Sequence, residues 1–356
     1  MLKNTKTLLA LSLIPQYLLV KLLSGYPEFV EHYYSNGIYP VISKVFRYIL
    51  GWLPFSFGDL VYALTGIYIL HWFYKNRKRL YKDTVNWLRD VASALAVIYF
   101  AFHVLWGINY YRLPLHKNLN LNAHYTTEQL VSVTKRLIKK SNAIHLQISQ
   151  NNDSLKIDVP FSKNDILKLA PLGYNSLKKT FPNLEYSPKS TKKSLFSYPL
   201  TYMGFSGYLN PLTNEAQVDE LIPSFKFPTT TTHEIAHQLG YAAENEANFI
   251  GYLAAIKHQN IYFKYAGYTF GLRFCLNEIY RRNEGLYDNL IATVNPGILK
   301  NYKEVRDFWD AHQNPAEPFF KWFYNGFLKA NKQSKGMESY NYVVALLVNY
   351  YKDRTL

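Results

Sequence analysis

Residues 228–255 read PTTTTHEIAHQLGYAAENEANFIGYLAA, and the order of residue types in this stretch predicts two helices joined by a sharp turn. Pro228 keeps an earlier helix from running into the first one, and the four threonines after it offer N-cap hydroxyls at its start. Gly240 permits the left-handed backbone that ends a helix. We therefore expect the first helix to break at Gly240 and a second helix to come back across it.

The first helix carries two histidines four residues apart. His233 and His237 then project from one face and can share one metal ion. Glu234 lies beside them, and in an HExxH helix this carboxylate stays off the metal and takes the proton from a metal-bound water. The pattern predicts Zn2+ as cofactor, His233 and His237 as ligands and Glu234 as the catalytic general base.

A catalytic zinc needs a third protein ligand, and the second helix offers Glu244 and Glu246. In one continuous helix Glu244 would lie roughly 10 Å along the axis from His237, too far to coordinate, and the break at Gly240 removes this difficulty. Glu246 points about 200° around the helix from Glu244. We favour Glu244, with Glu246 as the alternative, and expect Asn248 to support a ligand histidine by a hydrogen bond.

Three apolar segments predict a membrane domain at the N-terminus. They are residues 7–23, 52–74 and 91–110, each about long enough to cross a hydrocarbon core of roughly 30 Å. A cleaved signal peptide for the first segment, and three buried helices of a soluble core, are the alternatives. Six cations between residues 75 and 89 indicate a cytoplasmic loop, which places the N-terminus inside and everything after the third span outside the cytoplasm.

The chain divides by composition into three parts. Residues 1–112 form the membrane domain, residues 113–200 a Lys-rich connecting region, and residues 201–356 the part that contains the HEIAH motif. A helix is expected at 126–141 with Thr126 as its cap, one or two short strands between 204 and 223, and helices from 232 onward. The fold class is thus mainly α, with a small sheet in an α+β domain that follows three transmembrane helices.

The positive charge of the chain does not indicate a nucleic-acid partner. The formal net charge is +15, but residues 194–356 are neutral, and the excess lies in the cytoplasmic loop and in residues 135–193. Membrane topology explains the first of these. Because Cys275 is the only cysteine, a Cys-based zinc cluster is excluded.

The HEIAH string followed by ENEAN at 244–248 resembles the gluzincin metallopeptidases, whose second helix carries Glu-x-x-x-Asp with the Glu as third zinc ligand. The whole chain is similar to the bacterial membrane family DUF3810. The segments that carry this similarity are PEFVEHYYSNGIYP (27–40), PFSFGDLVY (54–62), residues 233–254 and GMESYNYVV (336–344). The resemblance implies a zincin-like fold in a multi-pass protein of the bacterial cytoplasmic membrane. Asn248 stands where gluzincins have Asp, and the interval from His237 to Glu244 is short for that family.

Three residues are weaker candidates for stabilising the oxyanion of a tetrahedral intermediate. Tyr340 is the first choice, with His258 and Arg273 behind it. Residues 207–218 are expected to supply an edge strand on which an extended substrate could pair.

These features together predict a membrane-anchored zinc metallopeptidase that hydrolyses peptide bonds of extracytoplasmic proteins or peptides. The alternative is a non-catalytic envelope protein whose structural or relic zinc site organises a domain that binds a partner. Intramembrane proteolysis is disfavoured, since HEIAH lies about 120 residues beyond the last predicted span. The lipid bilayer and a peptide substrate are the expected partners, and no oligomeric state follows from the sequence.

Overall fold

The computed structural model describes residues 5–333 and 342–356, and in these residues the chain is mainly helical with one small sheet. The helices are α1 (Thr5–Leu23), α2 (Pro27–Phe29), α3 (Tyr39–Leu50), α4 (Phe57–Asn76), α5 (Arg79–Lys82), α6 (Thr84–Leu105), α7 (Leu115–Asn118), α8 (Thr127–Ile148), α9 (Lys163–Leu169), α10 (Pro171–Leu177), α11 (Ser197–Met203), α12 (Phe227–Gln238), α13 (Glu244–Lys257), α14 (Ile261–Arg282), α15 (Glu284–Ile291), α16 (Pro296–Ala311), α17 (Glu317–Ala330) and α18 (Val343–Tyr351). A π-helical stretch (Val30–Ile38) and two 3-10 turns (Gly107–Tyr111 and Pro182–Leu184) connect some of them. The strands are β1 (Thr191–Lys193), β2 (Gly207–Asn210) and β3 (Glu215–Val218).

The sheet has the order β1-β3-β2, with β1 parallel and β2 antiparallel to β3. The prediction of one or two short strands between 204 and 223 is confirmed: β2 and β3 form a hairpin, in which Gly207 lies opposite Val218 and Asn210 opposite Glu215. The third strand, β1, is only three residues of sequence TKK, too short to show an alternating pattern. Because β3 lies in the middle, β2 is an edge strand.

One hydrophobic core joins the elements that follow the N-terminal helices. Its buried residues run from Leu115 to Tyr351 and come from α8, α12, α13, α14 and α18, among others. Helix α8, which contributes buried residues to this core, begins where the local sequence predicts. Thr126 caps it as predicted, in a capping box with Gln129 that satisfies two free backbone N–H groups.

Among the residues that the structure describes, two helices, and not the predicted three, are long and apolar enough to cross a membrane. They are α1 and α6, which correspond to the predicted segments 7–23 and 91–110. Helix α1 lies near the N-terminus, where a signal sequence would also lie. The predicted segment 52–74 does form a helix, α4, but Asp59, His71 and three tyrosines interrupt its apolar run.

Helices α1 and α6 pack against each other and run in the same direction. At one end Lys6 forms an ion pair with Asp90 (3.2 Å). At the other end Val20 belongs to the same buried cluster as Trp106, the residue that follows α6. The chain between the two helices must therefore travel back along their length.

Helix α4 makes that return. It begins at the sheet, where the backbone N–H groups of Phe57 and Gly58 donate to the buried Glu215 carboxylate (3.1 and 2.5 Å). A carboxylate at a helix N-terminus meets both free donors and the positive end of the helix dipole. Helix α4 ends beside the start of α6, where the rings of Trp72 and Trp87 are 5.9 Å apart. Most of its apolar side chains between these ends are exposed.

Candidate metal centre

Helix α12 presents His233 and His237 on one face. Their ring centroids are 4.6 Å apart and the ring planes are nearly perpendicular. His237 is buried and His233 nearly so. The spacing of four residues thus brings the two imidazoles together, as helical periodicity requires.

The threonines before these histidines do not cap the helix. Helix α12 already begins at Phe227, so the threonines lie inside its first turns. The hydroxyls of Thr231 and Thr232 donate to the carbonyls of Phe227 (2.8 Å) and Pro228 (3.2 Å). The predicted N-cap role is wrong, because a threonine within a helix turns its hydroxyl back to the preceding turn.

The chain reverses between α12 and α13. Helix α12 ends at Gln238, Gly240 has a φ of +91°, and α13 begins at Glu244. A residue with a Cβ is disfavoured at such a φ. The reversal places Oε2 of Glu244 3.2 Å from Nε2 of His233 and 3.4 Å from Nε2 of His237.

The three side chains are spaced like the ligands of one zinc ion. Zinc–ligand distances of roughly 2.0–2.1 Å in tetrahedral geometry put neighbouring ligand atoms about 3.3 Å apart. The two N···O distances, 3.2 and 3.4 Å, match this value. All three ligand atoms lie within 4.8 Å of one another. His233, His237 and Glu244 therefore fit a zinc ion with one position left for water or substrate.

The electrostatics of Glu244 and His233 suit metal binding, whereas His237 must lose a proton to bind a metal ion. Burial alone would lower the pKa of His237, but the carboxylates of Glu244 and Glu234 outweigh it and raise that pKa to about 9. Burial would also raise the pKa of Glu244, yet the two histidines hold it well below its ordinary value. For His233, burial and the neighbouring His237 lower the pKa. The Glu244 carboxylate stays ionised and the His233 imidazole neutral, which are the ligating forms.

One backbone group orients His237. Its Nδ1 lies 2.8 Å from the carbonyl oxygen of Tyr241, so this bond turns Nε2 towards Glu244. Asn248 is buried near His233, but Nδ1 of His233 and Nδ2 of Asn248 have no hydrogen-bond partner among the described residues. The supporting hydrogen bond expected from Asn248 therefore stays a prediction.

Glu234 is buried beside the histidines. Burial raises its pKa to about 8, although His237 and Lys226 oppose that rise. Its Oε2 has no hydrogen-bond partner among the residues that the structure describes. A buried carboxylate oxygen without a partner is unusual. The free oxygen is available to a water molecule, as general-base chemistry requires.

Strand β2 approaches the other oxygen of Glu234. A Cβ added at Gly207 would lie 2.8 Å from Oε1 of Glu234 and 2.7 Å from the carbonyl oxygen of Gln217. Only glycine lets the edge strand come this close to the carboxylate.

Replacing Gly207 by alanine is therefore expected to displace the Glu234 carboxylate and to lower hydrolytic activity by roughly 100-fold, the cost of a misplacement of about 1 Å. The measurement is the hydrolysis rate of the variant at equal zinc content. Gly66→Ala is the matched control, because a Cβ there would meet no atom within 4 Å. Equal rates for the two variants would show that the approach of β2 does not set the position of Glu234.

Glu246, the alternative ligand, points elsewhere. Its Oε1 accepts a hydrogen bond from the backbone N–H of Leu115 (2.6 Å). Burial raises its pKa to about 7, while that bond and Arg112 act in the opposite direction. Of the two carboxylates, the structure brings only Glu244 to the histidines.

The N-terminal region holds the last turn of α12 in place. The final carbonyl groups of a helix lack partners within it, and here side chains from residues 39–112 supply them. The bonds are Trp106 Nε1 to His237 O (3.1 Å), Tyr39 Oη to Gln238 O (2.9 Å), Ser43 Oγ to Gln238 O (3.1 Å) and Arg112 Nη1 to Gly240 O (2.9 Å). Trp106, the residue that directly follows α6, therefore contacts α12, the helix that carries both histidines.

Sequence analysis missed one polar residue at the site, Tyr324 of α17. Its hydroxyl donates to Oε1 of Glu244 (2.6 Å), the oxygen that faces away from the histidines. Its ring meets Phe205 edge to face at 5.1 Å. Tyr324 is one of six aromatic residues in α17 and lies 80 residues from Glu244, so no local pattern could have identified it.

His258, a candidate for oxyanion stabilisation, lies away from the site. His258 follows α13, and 14 residues of helix put it roughly 21 Å from Glu244. Its Nε2 lies 3.0 Å from the Leu169 carbonyl oxygen and its Nδ1 accepts from the Asn260 N–H (2.9 Å). The prediction for His258 is wrong, since both ring nitrogens bind backbone. Tyr340 lies outside the described residues.

Comparison with known proteins gives one match. A family model described as "Protein of unknown function (DUF3810)" matches residues 34–348. No curated protein and no solved structure matches the chain.

Proposed function

The chain belongs to the DUF3810 family, and we propose that it is a membrane-anchored zinc metallopeptidase that hydrolyses peptide bonds. The observation that carries this proposal is the tetrahedral spacing of His233, His237 and Glu244 beside the buried, unpartnered oxygen of Glu234. Two histidines, one glutamate and an open fourth position make up a catalytic rather than a structural zinc site.

Each residue then has a distinct role. Bound zinc would polarise the scissile carbonyl group and lower the pKa of water. Glu234 takes the proton from the attacking water through its free oxygen and delivers it to the leaving amine. The carbonyl group of Tyr241 holds the ring of His237 in orientation, and Asn248 is the expected partner of the His233 ring.

The edge strand β2 supports a peptide substrate in particular. Among the described residues β2 pairs only with β3, so its other edge is available for an extended peptide. Gly207 of β2 lies against Glu234. A peptide paired to this edge would pass the general base, which is the arrangement of a zincin-like domain.

The direction of the N-terminal helices supports a multi-pass topology. Helices α1 and α6 run in parallel, and α4, which lies between them in the sequence, runs back over roughly 30 Å for its 20 residues. The cations Lys6, Arg79 and Arg89 all lie within 3.2 Å of Asp90 at the end of this bundle away from α12. By the positive-inside rule that end is cytoplasmic, and the metal site is extracytoplasmic.

Metal removal tests the proposal. We expect full-length protein in detergent to contain about one zinc per chain, to lose hydrolysis of a quenched fluorescent peptide library on chelation, and to recover it with one equivalent of Zn2+. The measurements are elemental analysis and the cleavage rate. Failure to bind zinc stoichiometrically, or cleavage unchanged in chelator, would contradict the proposal.

A complementation experiment distinguishes catalysis from the non-catalytic alternative, in which zinc organises a domain that binds a partner. If a Glu234→Gln variant binds zinc and fully restores the phenotype of a strain that lacks the protein, zinc serves a binding domain. Failure to restore it at normal abundance supports catalysis.

A further inference from the structure

Helix α17 carries an aromatic face that no other part of the described chain covers. Phe319, Trp322 and Phe323 are 61%, 70% and 65% exposed. Their spacing of three and four residues places them on one side of the helix. The opposite side is the one that packs, with Leu328 buried and Tyr324 bonded to Glu244. Helix α17 is thus apolar on two faces, of which the protein uses one.

The position of α17 indicates what covers the second face. Phe327 contacts the rings of Phe102 and Tyr110 at 5.9 and 6.0 Å, at the end of α6. Just beyond α17, Lys332 donates to the carbonyl of Ser24 (2.6 Å), the residue that follows α1. Helix α17 therefore lies where both candidate membrane helices end, and those two helices also expose many of their apolar side chains.

The composition of the face fits the boundary between lipid and water. Tryptophan and phenylalanine favour the headgroup region, where an amphipathic helix lies in the plane of the membrane. Lys321 and Lys329 are exposed on the same helix, and only Glu317 opposes their charge. Aromatic side chains on one face and charged side chains elsewhere are typical of a helix that lies in the membrane interface.

We propose that α17 is an interfacial helix whose Phe319, Trp322 and Phe323 insert into the bilayer that α6 crosses. The lipid surface then holds the helix from one side while Tyr324 binds Glu244 from the other. One consequence rests on the proposed function: the metal centre lies close to the membrane surface, within reach of peptide segments that emerge from the bilayer.

Spin labelling tests the proposal on the full-length chain in vesicles of phosphatidylethanolamine and phosphatidylglycerol. Cys275 is buried, so a label attaches to an introduced cysteine, in Trp322→Cys and, as a second position, Phe319→Cys. Lys139→Cys on α8 is the control, since that exposed residue lies on a helix that packs against α14, α16 and α18. The readout is the accessibility of each label to oxygen, which concentrates in lipid, and to a water-soluble nickel chelate.

We expect the labels at 322 and 319 to favour oxygen several-fold over the control and to lie roughly 5–10 Å below the headgroups. Nickel accessibility equal to that of Lys139→Cys would overturn the proposal. Protection from both reagents together with spin–spin broadening would assign the face to a second copy of the chain and also overturn it. The measurement needs neither zinc nor cleavage, so its failure leaves the proposed hydrolysis intact and is distinguishable from failure of that function.

Discussion

Replacing Glu234 by glutamine is expected to slow peptide hydrolysis by roughly 10²- to 10⁴-fold, the usual contribution of a positioned general base. The amide has nearly the shape of the carboxylate but cannot accept the proton of the attacking water. Glu234 makes no contribution to the ligand set of His233, His237 and Glu244. We therefore expect the variant to retain about one zinc per chain while its turnover falls.

The measurement is the single-turnover rate of the zinc-loaded variant, together with its metal content. Glu185→Gln provides the matched control, because it makes the same chemical change at a half-exposed surface carboxylate that pairs with Lys178. That control is expected to cleave at the rate of the unmodified protein. Wild-type cleavage by Glu234→Gln at full zinc occupancy would remove Glu234 from the mechanism and with it the main argument for hydrolysis.

Replacing Glu244 by glutamine is expected to weaken zinc binding by more than the roughly 10- to 100-fold that loss of an outer partner costs. Oε2 of Glu244 is the atom that approaches both histidines, and a neutral amide there removes the negative charge that balances the ion. It also removes the main cause that raises the pKa of His237. With a lower pKa, His237 binds fewer of the protons that compete with zinc, and this gain offsets only part of the loss of the charged ligand.

Glu246→Gln separates this effect from a general loss of charge in α13. The amide oxygen of glutamine can still accept the Leu115 N–H, so the local structure is retained. We expect Glu246→Gln to bind zinc as the unmodified protein does, measured by competition with a chelator of known affinity. Equal losses of affinity in the two variants, or a loss confined to Glu246→Gln, would show that Glu244 is not the third ligand.

Local sequence predicted the parts of the structure that depend on neighbours along the chain. Helix α8 and its Thr126 cap, the β2–β3 hairpin, and the pair of helices on either side of Gly240 all follow from patterns a few residues long. Boundaries were less accurate. The threonines were expected to begin α12, whereas the helix starts before them, because the packing of the buried Phe227 extends it.

The membrane segments show a second limit. Hydropathy identified the positions of three helices. The length of an apolar segment does not, however, indicate which groups its polar side chains contact in the folded chain. Asp59 of α4 accepts bonds from Ser194 Oγ (3.0 Å) and the Leu195 N–H (2.7 Å), so it belongs to the folded domain and not to a spanning segment. Only the fold assigns that carboxylate its partners.

The sequence by itself determined the candidate metal ligands and the candidate general base of this protein, together with their local order. The spacing of His233 and His237 and the turn at Gly240 suffice, since helical geometry acts over four residues and glycine acts through its own backbone. Tertiary structure alone decided what surrounds them. Trp106 and Tyr324 come from 131 and 80 residues away to reach His237 and Glu244. HEIAH follows the last predicted span by about 120 residues, yet Trp106 near the end of that segment bonds to His237, because separation along a chain does not measure distance once the chain has packed.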